Sequence, residues 1–140
     1  MSKALSLQAA KARQAAERAG AWFTYRLGGR FLVRYFRNPD YTRRREQFLR
    51  EERASLQLKE DDPLPIEARN RATARAMFGT ILGDWQEITA DEAGTQPLEF
   101  TESNVAELML LDLDLAQEIY AFSESRANFH REQVEALVRD

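Results

Sequence analysis

Two aromatic runs, AWFTYR and RFLVRYF, flank Gly28-Gly29 in a chain otherwise rich in helix formers. This pattern constrains the fold more than any other. A glycine pair between alternating aromatic and β-branched residues signals a two-residue hairpin turn. Before it, Trp22, Thr24 and Arg26 alternate with Phe23, Tyr25 and Leu27; after it, Phe31, Val33 and Tyr35 alternate with Leu32, Arg34 and Phe36. A lone hairpin is marginal in water, so this one must dock on helices or pair with another edge.

The rest of the chain reads as helix. Gly (6) and Pro (4) are scarce among 140 residues, a balance that favours helix over irregular structure. An Ala-rich segment, residues 3–19, ends at Gly20 and carries Leu5, Ala9, Ala12, Ala16 and Ala19 near helical spacing. Its apolar side is small, so it depends on a neighbour or frays alone. Asn38-Pro39 is a cap followed by a first-turn proline, opening a helix predicted to run to about residue 58. After the linker KEDDPLP, a second helix is predicted over residues 66–82, with Gly83 as its stop. Thr101 caps a third, and Phe100 and Val105 sit at hydrophobic-staple spacing around it. Asp112 or Asp114 caps a further helix, and Phe129, Val134, Leu137 and Val138 continue its pattern to residue 140. The expected fold is therefore mainly α: a small helical domain spanning 21–140 with one β-hairpin at 21–37, preceded by the helix of residues 1–20.

Residue chemistry offers no reaction. With no cysteine and one histidine, His130, the chain cannot assemble the usual zinc sites, and His130 reads as an exposed helix residue. Asp112 and Asp114 lack the glycine and distal glutamate of a calcium loop. Gly28-Gly29 begins no phosphate-binding pattern. Neither a catalytic residue nor a cofactor is expected, and no apolar run is long enough to span a bilayer.

Charge is segregated. Residues 26–53 hold nine arginines against four acids, and residues 84–140 hold fourteen acids against three arginines. The two halves can attract each other within one fold or between copies, giving self-association. The sharper reading is a nucleic-acid face, because arginines interleaved with aromatics suit single strands. Strand aromatics, however, are more often half of a core.

The run GDWQEITADEAGTQPLEFTESNVAELMLLDLDLAQEIYAFSESRANF, with FLVRYFRNPDY upstream, resembles the tail assembly chaperones of long-tailed bacteriophages. The shared order is a tryptophan after a helix, an acidic glycine loop, a Phe-Thr-x-x-Asn helix start, an LxLDLxxxI-like segment and a Ser…Asn-Phe close. Here Ser125 to Phe129 has one residue fewer between Ser and Asn than the family pattern. The likeness covers about residues 20–132. It implies a non-enzymatic protein of the infected bacterial cytoplasm, absent from the mature virion. Such a protein binds the tape measure protein, keeps it soluble and helps recruit tail tube protein. It also implies that Trp85 and Phe100 orient the helices while Asn104 and Asn128 fix their junctions. With Trp22, Thr101 and Phe129, these are the expected structural anchors. Phe31, Val33, Tyr35, Arg43, Arg44, Leu108 and Phe122 are the expected partner contacts. The alternative function is a nucleic-acid-binding adaptor using the Arg-rich segment 26–53.

Overall fold

The computed structural model describes residues 4–130. Ser6 accepts the Ala9 N–H at 3.1 Å and so caps helix α1 (Leu7–Ala19). No residue of α1 is buried. Strands β1 (Ala21–Thr24) and β2 (Arg30–Val33) come next as an antiparallel pair, with Ala21 opposite Val33 and Thr24 opposite Arg30. The connection is the longer loop 25–29 and not a tight turn at Gly28-Gly29. Buried Tyr25 opens it, donating its backbone N–H to the Gly29 carbonyl. Helix α2 (Pro39–Ser55) starts as its sequence predicts: the Asn38 side chain accepts from the Asp40 and Tyr41 N–H groups.

The mainly α expectation, with strands confined to an N-terminal hairpin, is overturned by the chain beyond α2. Helix α3 (Ile66–Met77) stops five residues before the predicted end, and residues Leu82–Gln86 form a strand, β3. The fold is a mixed α+β domain: among the described residues it has five α-helices and a three-stranded antiparallel sheet ordered β1-β2-β3. The break lies at Phe78 and Gly79. Phe78 leaves the helix with extended backbone, and Gly79 takes φ +73°, a left-handed geometry that glycine adopts without strain. Buried Thr80 then turns its hydroxyl back to the carbonyls of Ala76 and Met77, closing the helix end. Arg34 and Arg44 donate to the Gly79 and Phe78 carbonyls, and Asn38 to that of Thr80. Cationic donors suit the negative end of a helix. Gly83 is not a stop; it lies inside β3, where an added Cβ would come within 2.8 Å of the Arg34 guanidinium.

The sheet supplies one wall of the core. Phe31 pairs with Trp85 and Val33 with Leu82 across β2 and β3, and all four are buried. Trp22, Leu32 and Asp84 occupy the other face. Helices α4 (Glu102–Leu111) and α5 (Leu113–Glu124) meet at Asp112, whose carboxylate accepts the Leu115 N–H at 3.0 Å. Val105, Met109, Leu115 and Ile119 from this pair join Phe48, Ala72, Ala76 and Met77 in one apolar cluster with the sheet. A short 3-10 turn, Arg126–Asn128, comes after α5. The helical pattern assigned to Val134, Leu137 and Val138 lies outside the described residues. Among the described residues, no helix is long and apolar enough to cross a membrane.

Candidate functional site

The expected anchors converge at two places. At the first, Trp85 sits edge-on to Phe31 and Phe100, with ring centroids 6.4 and 5.3 Å away. Its indole N–H donates to the Leu98 carbonyl at 2.9 Å. Phe100 also packs on Phe78 at 4.9 Å, so one aromatic group joins β3, the end of α3 and the start of α4. Thr101 accepts the Asn104 N–H at 3.1 Å, and the Asn104 side chain donates to the Glu99 carbonyl at 2.9 Å. Together they cap α4 and pin the chain that enters it. Between Trp85 and Phe100 the loop is organised by Asp91, which accepts N–H bonds from Thr95 and Gln96 and the Thr95 hydroxyl. The Thr95 hydroxyl first, and then those N–H groups, lower the Asp91 pKa. The acidic glycine loop is thus a connector held by its own hydrogen bonds.

At the second place Phe129 packs edge-on to Tyr35 at 5.8 Å and Phe122 at 5.9 Å, and Phe122 reaches Phe23 at 5.3 Å. The Asn128 side chain donates to the Phe122 carbonyl at 2.8 Å. His130 is not an exposed helix residue: its Nε2 lies 2.9 Å from the Glu17 carboxylate, and both side chains are largely covered. Glu17 is also 3.7 Å from Arg126, and its backbone carbonyl accepts the Tyr35 N–H. One residue therefore ties the C-terminal end of α1 to the body. Trp22 is no part of either cluster. It lies on the outer sheet face, 37% exposed, with the Arg30 guanidinium 5.0 Å above its ring.

The residues expected to meet a partner divide differently. Phe31, Val33 and Tyr35 are buried in the core and offer no free surface. Phe122 is half-covered by Phe23 and Phe129, and Leu108 packs at the core margin. Arg43 is exposed and paired with Asp40 at 2.7 Å. Arg44 clasps the α3 end, as described. Much of the arginine-rich segment is engaged within the fold, while Arg37 and Arg50 are exposed. Arg45 donates to Thr73, Arg53 to the carbonyls of the linker before α3, and Arg30 to Gln86. The α3 arginines behave alike: Arg71 makes a two-point pair with Glu52, and Arg75, stacked 4.0 Å from Phe48, reaches Glu51 and Glu102. Among the described residues, one ion pair joins the basic segment 26–53 to the acidic segment 84–140: Arg26 with Glu118 at 3.9 Å.

The surface that sequence reasoning missed is a groove of about 970 Å³ bounded by α2, α3, α4 and α5. Ala74, Met77 and Met109 form its apolar floor, Ile66, Leu110, Leu113 and Ala116 line its walls, and Phe36 and Tyr120 close one end. Tyr41 and Tyr120 meet there with centroids 6.3 Å apart. Burial, reinforced by Tyr120, pushes the Tyr41 hydroxyl up to about 12. The polar rim carries Arg37, Arg45, Glu46 and Glu124. Of its lining residues, Ile66 is 62% and Leu113 49% exposed. A signal for it exists in the sequence: LMLLDLDL places leucines on both sides of a capping aspartate, so a helix break there cannot bury them all.

Comparison with known proteins bears on identity. No curated protein and no solved structure matches the chain. A protein-family model, that of the YdaY prophage protein, matches residues 36–139, which take in α2 through α5 and therefore every wall of the groove. On that match the chain belongs to the YdaY prophage protein family.

Proposed function

We propose that this phage-related protein is a tail assembly chaperone whose groove between α2, α3, α4 and α5 holds an amphipathic helix of the tape measure protein. The observation that carries the reading is the groove itself: an apolar floor, a rim of both charges, and exposed leucine and isoleucine on its lips. Helix-in-groove recognition needs this combination. The prophage family and the order of motifs from Trp85 to Phe129 support the same reading. A tape measure protein is long and rich in amphipathic helix, and it aggregates while its apolar stripe is free. A small protein that covers the stripe reversibly keeps such a chain soluble without nucleotide and without bond-making chemistry. The protein then acts in the host cytoplasm before the tail is complete, hands its client to the growing tube of tail protein and stays out of the virion.

Co-expression tests this. A tape measure fragment from the same prophage should move from the insoluble to the soluble fraction when this chain is present, and purified complex should persist without ATP. A fragment that remains as insoluble as before sinks the reading. Salt-sensitive binding to single- or double-stranded nucleic acid, lost with Arg43, Arg44 and Arg45 changed to Ala, would favour the adaptor instead.

A further inference from the structure

The sheet has two edges, β1 and β3, and the fold treats them differently. At β3 the Trp85 N–H, which turns away from β2, is taken by the Asp84 carboxylate at 2.8 Å, and the register with β2 shifts at Leu32/Val33. At β1 the Tyr25 N–H donates to the Gly29 carbonyl, which sets the alternation along the strand. Ala21 and Phe23 therefore direct their backbone groups at β2, while Trp22 and Thr24 direct theirs outward. Among the described residues, those outward N–H and C=O groups have no partner. The strand AWFT also carries no charge, no proline and no bulge, the devices that keep an edge from pairing. Trp22 and Thr24 are exposed, and Phe23, resting on Phe122 at 5.3 Å, is half-covered.

An open edge takes a strand, and the spacing of the open groups indicates which one. Trp22 and Thr24 lie symmetrically about Phe23. A second β1 running antiparallel therefore sets Trp22 opposite Thr24 of the second copy, and Thr24 opposite Trp22 of the second copy. Each pair exchanges both of its backbone bonds, and no outward group of either strand is left over. Phe23 meets Phe23 of the second copy at the closer, non-hydrogen-bonded position, where an aromatic pair is favourable. No charged side chain in either strand opposes the approach. The β3 edge of a second copy is a poorer match, because its Trp85 N–H is already bonded. Size sets the strength: an edge of four residues covers well under the roughly 1,200 Å² of stable complexes, so the contact is weak and depends on concentration.

We propose that the free protein forms a twofold dimer by antiparallel pairing of β1 with β1 of a second copy, centred on Phe23, which joins two three-stranded sheets into one continuous sheet. No residue of β1 lines the groove, so the contact does not rest on which client the groove takes.

Sedimentation of the full chain tests it at concentrations up to about 0.3 mM, since a contact this small falls between micromolar and millimolar affinity. The wild-type mass should rise above the 16.2 kDa of one chain towards twice that value. Thr24→Pro removes an outward N–H that the fold does not use, a place where an edge strand accepts proline. Trp22→Lys puts a charge on the open face. Each should lower the association constant at least about tenfold, or about 1.4 kcal/mol, with circular dichroism checking that both fold. The groove variant Ile66→Glu with Leu113→Glu should associate like the wild type. Register is read by oxidation, because the chain has no cysteine of its own. Opposed Trp22 and Thr24 lie about 5.5 Å apart between Cα atoms, within the range of about 4.4–6.8 Å that a disulfide spans. Like residues of the two copies are diagonal, at about 7–8 Å. A mixture of Trp22→Cys and Thr24→Cys chains should therefore cross-link, and either variant alone should do so several-fold less. A wild-type chain that remains monomeric overturns the proposal. So does association that survives both Thr24→Pro and Trp22→Lys or is lost in the groove variant, or cross-linking no greater in the mixture than in the single variants.

Discussion

The indole N–H of Trp85 donates to the Leu98 carbonyl, 13 residues further along the chain, at 2.9 Å. This bond closes the connector between the third strand and α4, while the ring itself fills the space between Phe31 and Phe100. Trp85→Phe keeps much of the packing and leaves that carbonyl without its partner, at a cost of about 1–3 kcal/mol. Trp85→Ala also opens a cavity and costs about 3–5 kcal/mol. Urea unfolding of the two variants should show this order.

Gly79 separates the helix-to-strand fold from an uninterrupted helix by the sign of one substitution. Were residues 66–82 continuous helix, Gly79→Ala would stabilise by about 1 kcal/mol. In the structure Gly79 has φ +73°, and an added Cβ would meet only the Arg44 guanidinium at 3.7 Å. Space is available and the cost is conformational, so Gly79→Ala should destabilise by about 1–2 kcal/mol. A raised urea midpoint would contradict the strand assignment of Leu82–Gln86.

Tyr41 sets an alkaline limit on stability. Its pKa is raised from 10.0 to about 12 in the fold, by burial first and then by Tyr120. The folded state therefore holds the phenol proton more tightly than the unfolded chain does. The associated stability is fully present below pH 10 and is lost as pH rises from about 10 towards 12. Tyr41→Phe removes the titrating group, so its melting temperature should fall less steeply across that window than the wild type's. Parallel curves would show that Tyr41 is not buried as described.

Glu17 is the tether of α1, facing His130 at 2.9 Å and Arg126 at 3.7 Å. Glu17→Ala should raise amide exchange throughout α1 and leave exchange in α3 and the sheet unchanged. Uniform protection in the variant would mean that other contacts hold the helix.

The local chemistry of the fold is legible where one residue decides an element. Asn38 before Pro39 and Thr101 after Phe100 each name a helix start, and each caps one; of the two candidates Asp112 and Asp114, Asp112 is the cap of α5. The third strand is not legible. Ile66, Thr73, Met77 and Ile81 keep helical spacing straight through the break, and Gly79 resembles one more small residue in the Ala68-Ala72-Ala76 strip. What overrides the period is tertiary: Leu82 and Trp85 gain a strand partner in Val33 and Phe31, and three side chains clasp the turn. Alternation in the hairpin does mark two faces. Which face is buried is not in the pattern, so Trp22 lies outside while Phe31 and Val33 are enclosed. The groove leaves one local trace, the leucines on both sides of Asp112; its walls come from four helices, and no spacing along the chain reports their meeting.

Fluorescence anisotropy of a labelled amphipathic tape measure helix, titrated with the purified chain, tests the central claim most directly. The account predicts saturable 1:1 binding per groove without nucleotide, weakened at least about tenfold, or about 1.4 kcal/mol, by Ile66→Glu with Leu113→Glu. Binding of equal strength to that variant, or none to the wild type, would contradict it.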